Sequence, residues 1–333
     1  MNSTGGFVRA ISALCVAVFF CHPVVAGAQT ASTGSGQAYP SKPVRVVVAF
    51  AAGGFADGNA RLVSQKVGER LGQTFVIDNR GGAGGTLGAK IVVDANRDGY
   101  TVLATTAAST VTPSLYQNIG FDLLKDLTPV ANTVSAAGVF SVLASHPARD
   151  LKDLISQARG RQITFATAGV GTSSHIAADY LLRVLAKLDA VHVPFKGGGP
   201  AVVAALGNQV ELLNSSGAAT AHILAGRMKG LGVASLTRIE SLPNVPTVVE
   251  AGYPGFEERS WVGFFVPAGT SRAIVELLNQ EINLALKDRD VIANAKVRGM
   301  DIHPGSAADF TRFVHAEVAK WAKMVKLTGV KVD

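Results

Sequence analysis

Short apolar runs alternate with stretches of helical periodicity from about residue 39 to the end of the chain. The first run is β-branched and spans residues 44–50, after which Ala60, Val63, Val67 and Leu71 recur at the spacing of one helix face. Further strands are predicted at residues 74–78, 100–105, 139–144, 163–166, 191–193, 210–213, 231–234 and 262–266. Helical patterns separate most of them. The alternation predicts open α/β sheets covered by helices, rather than a sandwich or a helix bundle.

The first 38 residues do not share this pattern. Arg9 precedes an apolar run that ends at Cys21, and small residues then lead to Ala28 in an A-x-A arrangement, which is typical of a secretory signal peptide. The run is too short for a membrane span. We predict that residues 1–28 are a signal peptide cleaved after Ala28, that residues 29–38 are a disordered lead-in, and that the mature protein is periplasmic.

The length of 333 residues favours two domains, and 48% hydrophobic content is enough for a large core. Both cysteines fall in the predicted signal peptide, so no structural metal held by thiolates is expected. The formal net charge is +7, but the basic residues are scattered, and their densest group (Arg312, Lys320, Lys323, Lys326, Lys331) follows a C-terminal helical pattern. That arrangement is typical of a solvated helix face, and no nucleic-acid partner is expected. We predict one lobe of residues 39–138 with 263–333 and a second of residues 139–262.

Four loops rich in small residues directly follow predicted strands, at residues 51–57, 79–85, 167–175 and 194–199. In open α/β sheets, ligands bind beyond the carboxyl ends of the strands. Glycine lets the backbone approach a ligand closely, and the helix that follows offers unpaired amides, so each loop is a candidate cradle for an anion. No loop has the complete spacing of a dinucleotide fingerprint, a phosphate loop or a serine nucleophile elbow.

Individual side chains in these loops have two interpretations. Asp57 is either a ligand group or a cap of the first helix, and we favour the cap. Arg80 and Lys196 are either solvated or paired with a ligand carboxylate, and Lys196 is the stronger candidate. His175 starts a helical run and is expected to pack or donate, yet its closeness to Ser173 leaves an exported serine hydrolase as the alternative function. The histidines lack metal-binding spacing, and no cofactor is expected.

From Tyr39 to Gly329 the chain resembles the extracytoplasmic solute receptors of tripartite tricarboxylate transporters, the Bug receptors. The resemblance rests on residues 39–43, 50–57, 79–80, 82–85, 98–100, 113–116, 171–175, 192–197, 243–247, 260–261 and 267–270. It implies a two-lobed, type II-like periplasmic binding fold, each lobe a mostly parallel sheet flanked by helices, that closes over a small organic acid. The implied function is capture for inner-membrane transporter subunits or for sensing, without catalysis. We expect a monomer.

The resemblance also implies that the first loop and residues 171–174 hold one carboxylate from opposite lobes. We predict these ligand-binding residues: Phe50, Ala51, Gly53, Gly54, Asp57, Thr106, Gly171, Thr172, Ser173, Phe195, Lys196, Ser215 and Ser216. The chain has Ala52, Phe195 and Ser215 where the family usually has Pro, Tyr and Asp. A ligand ammonium needs a buried partner, so Ser215 favours an acid without an amino group, unless Ser215 caps a helix that starts near Ser216.

Overall fold

The computed structural model describes residues 39–116 and 119–330, so the predicted signal peptide and lead-in lie outside the described residues. The strands are β1 (Val44–Val48), β2 (Phe75–Asn79), β3 (Thr101–Thr106), β4 (Leu127–Leu143), β5 (Gln162–Thr167), β6 (Asp189–Pro194), β7 (Leu212–Ser216), β8 (Met228–Val233), β9 (Arg259–Pro267) and β10 (Met300–Ile302). The α-helices are α1 (Phe55–Leu71), α2 (Thr86–Val93), α3 (Ala108–Leu115), α4 (Leu123–Asp126), α5 (Leu151–Gln157), α6 (Ser173–Asp179), α7 (Gly198–Leu206), α8 (Thr220–Leu224), α9 (Arg272–Ala285), α10 (Arg289–Arg298) and α11 (Ala307–Thr328). A π-helical segment, Tyr180–Leu185, continues α6.

The strands join in the order β2-β1-β3-β9-β4-β7-β5-β6, with β10 and β8 also beside β4. Strands β1, β2 and β3 are parallel to one another, as are β5, β6 and β7. Strand β9 is antiparallel to β3 and β4, and β4 is antiparallel to β7 and β8. Each half thus contains a group of three parallel strands, as predicted, and every antiparallel pair involves β4 or β9, the strands that connect the halves.

Strand β4 is the outward connection. Its first part, up to Ala137, pairs with β9, and its last part, from Gly138, pairs with β7 and β8. The chain returns at Glu258, whose carbonyl oxygen accepts from the Gly138 amide at 3.1 Å, directly before β9 begins. Residues 259–262, which we assigned to the second lobe, thus pair with strands of the first half. The lobe boundaries stay a prediction.

Each half has its own hydrophobic core. The first surrounds the valines of β1, which is buried on both faces as expected for a central parallel strand, and includes Trp261 of β9 and Phe310 of α11. The second surrounds Phe140 and Phe165 with leucines from α5 and the segment after α6. Separate cores on either side of the connecting strands give the two-lobed α/β fold that the sequence predicts.

The C-terminal helix α11 begins with a capping box formed by Ser306 and Asp309. Its basic residues Arg312, Lys320, Lys323 and Lys326 are exposed, as expected for a solvated face. Among helices in residues 39–116 and 119–330, none is both long and apolar enough to cross a membrane.

Candidate functional site

A cavity of about 40 Å³ lies beyond the carboxyl ends of β1, β3, β5 and β7. The first half of the fold contributes Phe50, Gly54, Phe55, Ala56, Thr106 and Ser260, and the second contributes Ala168, Thr172, Ser173, Ser174, Gly198, Ser215 and Ser216. None of these described lining residues is ionisable at neutral pH. The cavity is thus lined by hydroxyls, backbone and apolar rings drawn from both halves. We name it the serine cavity.

Three helix N-termini meet at the serine cavity. Helix α1 begins at Phe55, α6 at Ser173 and α7 at Gly198. The first amides of a helix have no acceptor within it and carry a partial positive charge. Thr172 caps α6, since its hydroxyl oxygen accepts from the His175 amide at 3.2 Å. The cavity can therefore attract an anion although none of its described lining residues is cationic.

Asp57 holds the first loop in place and does not line the cavity. We favoured Asp57 as the helix cap, but the N-cap of α1 is Gly54, and Asp57 lies inside the first turn. Its carboxylate accepts from the Gly53 amide and from Asn79 Nδ2, both at 2.9 Å. Burial raises the pKa of Asp57, but hydrogen bonds from Arg61, Gly53 and Asn79 outweigh it and leave the pKa below its ordinary value.

The loops of the two halves touch across the cavity. The Ala51 amide donates to the Lys196 carbonyl oxygen at 2.8 Å, and a Cβ on Gly54 would lie 3.2 Å from the Gly198 nitrogen. A cavity of about 40 Å³ has room for only a few water molecules. A dicarboxylate therefore needs the loops to separate before it can enter.

Of the predicted binding residues, the structure brings Phe50, Gly54, Thr106, Thr172, Ser173, Ser215 and Ser216 to the cavity. The others lie outside its lining. Ala51 contacts the opposite loop, Gly53 and Phe195 line a separate surface groove, and the Gly171 amide donates to His175 Nδ1 at 3.3 Å. The Lys196 side chain is exposed, and Arg80 pairs with Asp78 at 2.8 Å. The prediction overlooked Phe55, Ala56, Ala168, Ser174, Gly198 and Ser260.

Ser215 does not cap a helix. It lies within β7, and the next helix begins at Thr220 with Ala219 as its N-cap. Ser215 is 2% exposed, and its hydroxyl has no hydrogen-bond partner among the described residues. The capping alternative is therefore wrong, and the hydroxyl is available to a molecule in the cavity.

His175 packs against a second histidine. Its ring stacks on that of His192, which bonds to the Thr167 hydroxyl at 2.7 Å. Burial lowers the pKa of His175 to about 4 and that of His192 to about 3. No hydrogen bond among the described side chains joins Ser173 to His175, so the pair that a serine hydrolase needs is not assembled.

Glu258 is buried beside two residues of the cavity lining, and no sequence pattern indicated it. It is 2% exposed, and burial raises its pKa to about 7, although the Ser173 and Ser216 hydroxyls, both part of the cavity lining, lower it again in part.

Within the described part of the chain, no group of three metal-ligating side chains is present.

Known proteins are similar to this chain in sequence and in fold. A family model described as "Tripartite tricarboxylate transporter family receptor" matches residues 59–330. Protein BugT of Bordetella pertussis is 33% identical over 317 residues, covering 92% of this chain and 96% of BugT. The solved structure of R. palustris Rpa4515 with adipate has a TM-score of 0.84 and 33% identity, covering 88% of this chain and 99% of that one. MatC from Rhodopseudomonas palustris with bound malate has a TM-score of 0.82 and 32% identity, covering 86% and 100%.

Proposed function

Because the chain belongs to the receptor family of the tripartite tricarboxylate transporters, we propose that the serine cavity captures a small organic dicarboxylate. The chain is a solute-binding receptor with the two-lobed fold of periplasmic binding proteins. Two similar proteins hold adipate and malate, both dicarboxylates, in their structures. A ligand of this class carries the negative charge that the cavity favours.

One observation carries the proposal: three helix N-termini and a group of serine and threonine hydroxyls converge on one cavity that has no cation in its described lining. A carboxylate accepts hydrogen bonds from amides and hydroxyls, and the helix dipoles favour its charge. The loops that enclose the cavity come from both halves, so a bound acid draws the halves together. Closure around a ligand is the change that a membrane transporter can recognise.

We further infer that the ligand lacks an amino group. The Ser215 hydroxyl is buried at the cavity, and no carboxylate lines it among the described residues. An ammonium group there would lose its hydration without gaining an anionic partner in the cavity lining, and a buried unpaired charge costs about 3–5 kcal/mol. Plain dicarboxylates should therefore bind in preference to amino acids.

Calorimetry with the matched pair succinate and aspartate tests this function. Succinate should bind and be recovered chemically unchanged, while aspartate should bind at least tenfold more weakly. Equal affinity of the two ligands would exclude the selectivity, and failure of every mono-, di- and tricarboxylate to bind would refute the proposal. Ser215→Asp should shift preference toward aspartate.

Ser173 provides the test against the hydrolase alternative. Ser173→Ala removes one hydroxyl from the cavity and should weaken succinate binding at least tenfold, since a hydrogen bond to a charged group contributes about 1.5–3 kcal/mol. Ser156→Ala, at an exposed serine of α5, is the control and should leave binding unchanged. Ester or amide turnover that Ser173→Ala abolishes would favour the enzyme instead.

Location, partner and oligomeric state are part of the same proposal. We expect export to the periplasm, cleavage after Ala28, delivery of the ligand to inner-membrane transporter subunits, and a monomer whose lobes are residues 39–138 with 263–333 and residues 139–262. N-terminal sequencing of the exported protein should begin at Gln29, and light scattering should give the mass of one chain. An uncleaved N-terminus in the periplasmic fraction would contradict the cleavage, and absence of the protein from that fraction would contradict the export.

A further inference from the structure

The carboxyl group of Glu258 is buried directly behind the serine cavity. Its backbone amide donates to the Ala234 carbonyl oxygen at 3.0 Å, and its carbonyl oxygen accepts from the Gly138 amide at 3.1 Å. Glu258 therefore lies where β4 and β9 connect the two halves of the fold. The hydroxyls of Ser173 and Ser216, which line the cavity, lie close enough to the carboxyl group to influence its ionisation.

The hydrogen bonding around Glu258 is incomplete for an ionised carboxylate. Neither carboxyl oxygen has a partner of good geometry among the described residues, and the same holds for Asn214 Oδ1. A Cβ added to Gly138 would overlap Glu258 Oε2 and lie 2.9 Å from Asn214 Oδ1, so both oxygens lie in the space beside this glycine. Two neighbouring buried acceptors without a hydrogen to share are unfavourable. A proton on Glu258 supplies a donor, which an ionised carboxylate lacks.

The charges near Glu258 do not balance a buried anion. Lys320 of α11 is paired with Glu317, and Arg259 of β9 is paired with Asp301. The side chains that face Glu258 from β7 and α6 are Asn214, Ser216 and Ser173, none of which ionises near neutral pH. Burial raises the pKa of Glu258 to about 7, and Ser173, Lys320 and Arg259 oppose it only in part.

The protonation of Glu258 changes what the cavity offers to an acid. An ionised carboxylate accepts the hydroxyl hydrogens of Ser173 and Ser216 and repels a ligand carboxylate nearby. A neutral carboxyl group leaves those hydrogens free to point into the cavity. An anionic ligand therefore favours the neutral form of Glu258.

We propose that Glu258 is a positioning residue that must be neutral when a dicarboxylate binds, so that an ionised Glu258 takes up one proton from solvent on binding and ligand affinity falls as Glu258 ionises. The inference rests on the proposed function. Glu258 does not line the cavity and acts through the hydroxyls of Ser173 and Ser216. Its protonation state sets the polarity of the serine cavity, which binds an anionic ligand only while Glu258 is protonated.

Calorimetry with succinate across pH tests the coupling. Between about pH 6.5 and about pH 8.5 the dissociation constant of the wild type should rise about 25-fold, because only the fraction of molecules with a neutral Glu258 binds. Calorimetry at about pH 8 is repeated in buffers that differ in ionisation enthalpy. The dependence of the binding enthalpy on the buffer should show that close to one proton is taken up per ligand bound.

Glu258→Gln supplies a permanently neutral side chain of the same shape. It should bind succinate at about pH 6.5 within threefold of the wild type, show almost no pH dependence, and bind about 25-fold more tightly than the wild type at about pH 8.5. If this variant does not fold, Glu258→Met should show the same loss of pH dependence. The matched control is Glu281→Gln, at another buried glutamate that pairs with Arg70, and it should keep the pH dependence of the wild type.

The outcomes separate this inference from the proposed function. Succinate binding by the wild type with equal affinity at both pH values would overturn the role of Glu258 and leave the receptor function intact. A pH dependence that persists in Glu258→Gln or Glu258→Met would overturn it as well. Absence of carboxylate binding at any pH would overturn both.

Discussion

The imidazole rings of His175 and His192 stack with their centroids 3.9 Å apart and their planes 18° apart. The ring of Phe165 also stacks on that of His192, with centroids 5.0 Å apart. A stack this close and this buried accommodates neutral imidazoles, because two positive charges at such a distance repel strongly in a medium of low polarity. The pair therefore has a structural role in the second half of the fold and gives the protein a sensitivity to acid.

We expect the protein to lose stability as the pH falls below about 6.5. Both pKa values are lower in the folded state, about 4 for His175 and about 3 for His192, so the unfolded chain binds protons first. The stability is present above the ordinary pKa of 6.5 and is lost as the pH falls toward the folded values. Thermal melts between about pH 7.5 and about pH 5 measure this loss.

His192→Phe should keep the stack and remove one of the two protonation sites. Its melting temperature should fall less between those pH values than that of the wild type, whereas His315→Gln, at an exposed position of α11, should follow the wild type. An identical acid response of His192→Phe and the wild type would show that the stack does not cause it.

Glu258 should make the ligand-free protein less stable as the pH rises, opposite to the effect of the two histidines. Its pKa is raised from 4.5 to about 7, so the folded state holds the proton more tightly, and stability is lost as the pH rises from about 4.5 through about 7. Glu258→Gln does not ionise, and its free energy of unfolding relative to the wild type should increase by about 3 kcal/mol across that range. Urea unfolding curves at a series of pH values measure the difference. A constant difference would mean that Glu258 ionises at its ordinary pKa.

Gly138 should tolerate no side chain while Glu258 is present. A Cβ at this position would overlap the Glu258 carboxyl group and lie 2.9 Å from Asn214 Oδ1, so Gly138→Ala should destabilise the protein by about 1–3 kcal/mol. Glu258→Ala makes room, and the double variant should be more stable than the sum of the single changes predicts. Gly305→Ala, where an added Cβ meets nothing within 4 Å, is the control. Simple additivity in urea unfolding would contradict the contact.

Gly199 should be required for closure and not for folding. A Cβ on Gly199 would overlap the Ala52 carbonyl oxygen and lie 3.1 Å from the carbonyl carbon of Gly53, and both contacts belong to the opposite loop. Gly199→Ala should therefore weaken succinate binding tenfold or more, while the melting temperature without ligand changes little. Gly207→Ala, at the other end of α7 with a nearest contact of 3.4 Å, should bind normally. Unchanged affinity of Gly199→Ala would mean that the loops need not meet around the ligand.

Strand prediction succeeded where apolar residues run continuously. All nine predicted strands overlap observed ones, because strands buried on both faces leave an unbroken apolar pattern. The first part of β4 was missed: residues 127–138 contain Pro129, Asn132 and several small residues, and a bulge near Pro129 accommodates the imino acid. Strand β10 has only three residues, too few for a periodic pattern.

The sequence alone determined the fold class, the family and the loops that contain the site. Each of these leaves a local pattern: apolar runs of strand length, helical periodicity, and glycine after a strand where the backbone must pass close to another chain segment. Seven of the predicted residues reach the serine cavity because the carboxyl ends of their strands or the loops that follow lie at the same edge of the sheet.

Only the tertiary structure decided which side chains of those loops face the cavity and what lies behind them. The Lys196 side chain is exposed to solvent, and its carbonyl oxygen accepts from the Ala51 amide. Its loop follows a strand and is rich in glycine, as is the loop that supplies Ser173 to the cavity. Glu258 is distant along the chain from Gly138 and Asn214, and no local pattern marks it. Its burial follows from how β4 and β9 bring three separate segments together, and burial is what raises its pKa and connects it to the cavity.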